Sequence, residues 1–241
     1  MRAVIGALTL ASYFVCFDAA PRLVYNNKES GKNTITIAYL LNGFTYSDTL
    51  LNSKVGFWLK GIQDQAVKEL RTSLGVDVTF EITDSKVADA DISYYVNHWT
   101  SGSQVHSTSF LNYLKRESAK NFNPDIICVL LKGIKIYGDN FRDKLGYSMH
   151  NTLCHGVVPM LLTYKENDVQ GTGKLLAELV TKSTQWSNAD TWKTKTLKEK
   201  NAYFEKCAIT YKLPGATDDD EDYVLPVNKG YFYSDGEKRK P

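Results

Sequence analysis

Residues 124–133, PDIICVLLKG, constrain the fold of this chain more than any other stretch. A continuous apolar run bounded by Pro124 and Gly133 suits a strand covered on both faces, and such a strand needs a layer above it and a layer below. Val55, Leu59, Ile62, Ala66, Val67 and Leu70 recur at helical spacing over 52–74. Asn52 or Ser53 can cap the start of that helix, and Gly75 stands just past its end. Residues 34–41 (TITIAYLL) and 76–82 (VDVTFEI) carry strand patterning. The spacing predicts further strands over 90–99 (ADISYYVNHW) and 157–164 (VVPMLLTY), the latter at a sheet edge because Pro159 cannot donate to a ladder. Helices are expected over 107–120, from Leu175 after a flexible glycine-rich lead-in, and over 197–207; residues 134–151 are expected to be loop. The order predicts an α/β (α+β) sandwich, a mixed sheet with flanking helices.

The N-terminus has the pattern of a secretory signal peptide: Met1 and Arg2, an apolar run from Ala3 to Phe17, then Asp18, Ala19 and Ala20. The expected organisation is therefore a signal over 1–20, one domain over 21–213 and an extended acidic, Tyr-rich tail over 214–241. The apolar run falls short of the roughly 20 residues needed to span a bilayer, so no membrane anchor is expected and the protein is predicted to be secreted, extracellular. A net charge of +2 with no basic face argues against nucleic acid as a partner. Fifteen Tyr and ten Phe fit a packed β-containing domain, not a disordered chain.

Cys16 would leave with the signal, which leaves Cys128, Cys154 and Cys207 in an oxidising compartment with three possible pairings. Cys128 lies inside DIICVLL, where a buried thiol behaves as a small hydrophobe. The expected disulfide is Cys154–Cys207. No Asn-x-Ser/Thr sequon occurs.

Several motifs can be weighed for chemistry. QGTGKLL (170–176) lacks what a phosphate loop needs, because Asp168 stands at the first glycine position and Leu175 at the hydroxyl. The four histidines, His98, His106, His150 and His155, include no pair four residues apart, and the serine-hydrolase elbow is missing. The stretch 175–190, LLAELVTKSTQWSNAD, can be set against the metzincin motif His-Glu-x-x-His-x-x-Gly-x-x-His. There, two histidines one helical turn apart and a third after a glycine hold zinc, and the glutamate activates its water. With Glu178 at the glutamate, the ligand positions are Ala177, Thr181 and Ser187, and the glycine position is Thr184. Alanine has no donor atom, and hydroxyls are poor zinc ligands beside imidazole.

SKVGFWLKGIQDQAVKEL (53–70), PDIICVLLKG (124–133), GYSMHNTLCHG (146–156) and FEKC (204–207) give the chain a wider resemblance. It resembles the adamalysin-like (reprolysin-like) metalloproteases of tick saliva, and more closely the non-enzymatic metastriate tick salivary proteins related to them. The resemblance implies a zincin-like sandwich with a degenerate active-site helix, no catalysis, no metal or other cofactor, and an unknown host protein as partner. In the proteases a cysteine precedes the zinc motif, as Cys154 does here, and an FSxCS-like segment follows it, as 204–207 does. The chain departs from them in having no methionine after Met160 for a Met-turn, and too little chain between Ser187 and Cys207 for the family's extra cysteines.

Two other readings are a divergent hydrolase using Glu178 with a histidine, and a small-molecule or lipid scavenger using the emptied cleft. The acidic run DDDEDYVLP (218–226) makes Tyr223 a candidate for sulfation, and a sulfated acidic tail can dock on a basic surface.

Overall fold

The computed structural model describes the backbone of residues 22–25, 33–118 and 124–212, and side chains over 33–118 and 124–208. The predicted signal over 1–20, the tail over 214–241 and Tyr223 lie outside the described residues. The chain runs β1 (Arg22–Tyr25), β2 (Asn33–Asn42), a short 3-10 turn (Tyr46–Thr49), α1 (Lys54–Leu74), β3 (Val78–Val87) and α2 (Ala90–His98). Then come β4 (Thr100–Ser101), β5 (Gln104–His106), α3 (Ser107–Ser118), β6 (Ile126–Leu131), β7 (Lys135–Gly138), β8 (Phe141–Lys144) and β9 (Gly146–Tyr147). It ends with β10 (Val158–Thr163), α4 (Val169–Lys182), α5 (Ala189–Lys193), α6 (Leu197–Phe204) and β11 (Ile209–Lys212).

The main sheet has the order β3-β2-β6-β10-β9, with β3, β2, β6 and β10 parallel and β9 antiparallel. A second mixed sheet has the order β4-β5-β7-β8, and β1 pairs with β11. The fold is thus mixed α/β with flanking helices, and β6 is its centre. Ile126, Cys128 and Leu130 face the cluster built by α1 and α4, while Ile127, Val129 and Leu131 face the one built by α2 and α3. All six are fully buried, and each such side chain contributes roughly 2 kcal/mol of gross apolar stabilisation.

Helix α1 forms as its spacing predicts. Ser53 is the N-cap and accepts from Gly56 N at 2.9 Å, and Gly75 closes the helix at φ 65. The outer strand β3 has no neighbour on its far side among the described residues, and its ladder with β2 slips at Ile37/Ala38.

Four expectations are corrected. Residues 90–98 are helix α2, not a strand: Asp89 Oδ1 accepts from Ile92 N at 2.8 Å, and Ile92 and Val96 are buried one turn apart. The stretch 134–151 is not loop but contributes β7, β8 and β9. Strand β10 is not at the edge, although β9 reaches it only at Leu161 and Leu162, beyond Pro159. The glycine-rich segment before Leu175 is not a flexible lead-in but the first turns of α4, capped by Asp168, which accepts from Gly171 N at 2.8 Å. Gly173 sits there because a Cβ would lie 2.5 Å from Gln65 Cβ, so α1 and α4 can approach only over a bare backbone.

Candidate functional site

Helix α4 buries Leu176, Leu179 and Val180 in the core and turns another face toward the outer part of α1. Between the two helices lies a cleft of about 360 Å³. Lys174, Ala177, Glu178, Thr181 and Lys182 line it from α4, and Glu69 and Ser73 from α1. Ser187, Asn188 and Ala189, at the start of α5, close its third side.

Four of the five motif positions, Ala177, Glu178, Thr181 and Ser187, are therefore brought to one cleft. The fifth, Thr184, is fully buried away from it: its Oγ1 donates to Thr181 O at 2.7 Å and accepts from Trp192 Nε1 at 3.2 Å. Thr181 Oγ1 is likewise occupied, donating to Ala177 O at 2.9 Å. Glu178 is exposed and makes no ion pair or side-chain hydrogen bond among the described residues, whereas Lys174 Nζ lies 3.9 Å from Glu69 Oε1.

The third wall is held by aromatic packing. Trp192 stacks on Phe204 with centroids 5.4 Å apart and meets Trp186 edge-on at 4.5 Å. Tyr203 Oη donates to Leu153 O at 2.6 Å and accepts from Gln185 N at 3.3 Å. Burial pushes its phenol up to about 12, so it stays a donor. Beside it, the Cys154–Cys207 disulfide joins the loop before β10 to the segment after α6, and Cys128 is a buried free thiol. The loop carrying Ser187 and Asn188 is thereby fixed from below.

The residues at the motif positions do not fit a zinc ion. A methyl group, two hydroxyls and one distant buried threonine offer neither the charge nor the imidazole nitrogens a closed site needs. No histidine lines the cleft. His98 stacks on Tyr94, His106 contacts Ser109 and Asp139, and His155 contacts Leu153 O. Burial and then Lys115 hold the His150 imidazole below its ordinary range. Among the described residues no three His, Cys, Asp or Glu side chains form a group able to hold a metal ion.

Sequence reasoning missed the α1 wall, Glu69 and Ser73, and the flanking lysines. The lysines had a signal: Lys174, Glu178 and Lys182 recur every four residues, a stripe on one helical face. The α1 wall had none, because it depends on which helix meets α4. No protein-family model and no curated protein matches the chain.

Proposed function

We propose that the chain is a secreted salivary protein of metalloprotease-like fold without a zinc site, non-catalytic, and binding a host protein at the feeding site. The observation that carries this reading is the gathering of Ala177, Glu178, Thr181 and Ser187 at one cleft with no imidazole among its lining residues. Ala177, Glu178 and Thr181 share one turn of α4, the spacing the motif requires, and Ser187 joins them across the turn into α5. The mixed sheet with flanking helices, the helix carrying Glu178 and the Cys154–Cys207 disulfide support the same reading. A cleft with two lysines and two glutamates at its rim suits polar protein recognition, in which charge sets partner choice and encounter rate.

The deciding experiment pairs metal analysis of the purified protein with capture of partners from host plasma. The reading expects no stoichiometric zinc, no chelator-sensitive proteolysis, and a captured protein whose binding weakens in Glu178→Lys. Zinc at one equivalent, or proteolysis abolished by a chelator, overturns it.

A further inference from the structure

Helix α2 sets Asp91, Tyr94, Tyr95 and His98 along one side, each three or four residues from the next. Their rings run on without a break into Trp99 and, on α3, Tyr113. Between centroids Tyr94 lies 5.2 Å from Tyr95 and 5.8 Å from His98. Tyr95 lies 5.1 Å from Trp99 and 4.0 Å from Tyr113, and Trp99 lies 6.0 Å from Tyr113. Tyr95, Trp99 and Tyr113 are half-buried and pack against the core cluster of α2 and α3. Tyr94 is 60% exposed, and His98 is exposed beside it. The result is one continuous aromatic surface fixed in place from beneath, the composition of an interface hot spot.

Carboxylates stand around it. Burial raises the Tyr113 phenol, and Glu117, Tyr95, Asp91 and Asp89 add to the rise, so three acids act on one ring. Asp89 is committed to Ile92 N as the cap of α2, and Glu117 Oε1 accepts from Arg116 Nε at 3.2 Å. Lys86, the basic group that acts on Asp89, is paired with Asp84 at 3.3 Å. Asp91 makes no ion pair among the described residues.

The molecule itself shows what such a surface accepts. Arg116 Cζ stands 5.9 Å from the centroid of Tyr113 with its Nε on Glu117, so one guanidinium is shared between a tyrosine and a carboxylate. Tyr94 and Asp91, one turn apart on α2, offer the same pair of groups. Among the described residues no basic side chain lies over Tyr94.

We propose that this face of α2 and α3 docks an arginine-bearing segment of a partner protein, with a guanidinium stacked on Tyr94 and paired with Asp91. A guanidinium suits both groups, because it is planar, weakly hydrated and able to hold a carboxylate through two bonds. An ammonium has neither the plane nor the fork. An acidic segment would meet Asp89, Asp91 and Glu117 and be repelled. The main sheet separates this face from the cleft between α1 and α4, so the molecule has a second contact surface.

Fluorescence anisotropy of a dye-labelled, blocked Arg-Gly repeat peptide titrated with the full chain tests this, with Lys-Gly and Glu-Gly repeats beside it. The Arg-Gly peptide should bind most tightly. Tyr94→Ser and Asp91→Asn should each weaken it about threefold and together about tenfold. Tyr94→Phe keeps the ring and should stay within about twofold of the parent. Far-ultraviolet circular dichroism matching the parent's shows that the variants are folded. No binding of the Arg-Gly peptide, or equal binding by parent and double variant, overturns the proposal. So does a Lys-Gly or Glu-Gly peptide that binds as tightly. Self-association of the parent that Tyr94→Ser abolishes gives the face to a second copy and overturns it. Binding lost in Glu178→Lys but kept in the double variant puts the peptide in the cleft and also overturns it. Zinc content bears on none of these outcomes, so this inference and the proposed function fail separately.

Discussion

Asp125 and Thr36 hold each other in a closed pair. Asp125 Oδ2 accepts from Thr36 N at 2.8 Å and from Thr36 Oγ1 at 2.7 Å, while Thr36 Oγ1 accepts from Asp125 N at 2.9 Å. The same carboxylate oxygen takes Ala208 N at 2.9 Å. One buried side chain thus ties β2, the start of β6 and the segment after the disulfide. In Asp125→Ala three donors lose their acceptor in a dry site, so the loss of stability should be about 3 kcal/mol, read from urea unfolding. A loss below roughly 1 kcal/mol would show that the pair carries little of the fold.

Gly173→Ala sets two effects against each other. Alanine favours helix over glycine by about 1 kcal/mol, yet its Cβ would stand 2.5 Å from Gln65 Cβ. Overpacking of this kind costs typically 1–3 kcal/mol, so a net destabilisation of about 1 kcal/mol is expected in thermal or urea unfolding. A more stable variant would mean that α1 yields at this crossing.

Removing the Cys154–Cys207 disulfide by a double serine substitution should cost about 4 kcal/mol, the chain-entropy value for a sequence separation of 53. The measured quantity is the urea midpoint of oxidised and doubly substituted protein. In native protein the peptide bearing Cys128 should resist alkylation, since the thiol is fully buried and its pKa is raised to about 12. It should label after unfolding. Rapid native labelling would contradict this placement.

His150 gives a pH dependence of defined sign. Burial and Lys115 depress its folded-state pKa, so the unfolded chain binds more protons below the ordinary imidazole range. Its penalty is absent above the unfolded pKa of about 6.5 and grows as pH falls from there toward the depressed folded value. Urea midpoints taken between about pH 7.5 and pH 5 should fall less steeply in His150→Asn than in the parent. Parallel slopes would count against the assignment.

The central sheet was legible because β6 states its surroundings locally: six consecutive apolar residues have no polar side to show to water. Helix α2 was not, since Ile92, Tyr94, Val96 and His98 alternate like a strand while Ile92, Tyr95, Val96 and Trp99 repeat like a helix. The cap at Asp89 decides between them. The second sheet escaped because its strands hold two to four residues, too few for any period to emerge. The α4 wall of the cleft could be found from the spacing around Glu178; the α1 wall required knowing that Gly173 lets the two helices meet at Gln65.

Strand β3 bears on how the protein behaves at high concentration. Among the described residues no strand pairs with its outer side along these ten residues, and a flat strand so placed would be a template for fibre growth. The slip opposite Ile37/Ala38 bends it at mid-length, and Glu81, Asp84 and Lys86 set charges along it, with Lys86 Nζ 3.3 Å from Asp84 Oδ2. An incoming strand would have to follow a kinked line and bury those charges. A shifted ladder and charges along the strand are the features that disfavour edge-to-edge pairing between copies.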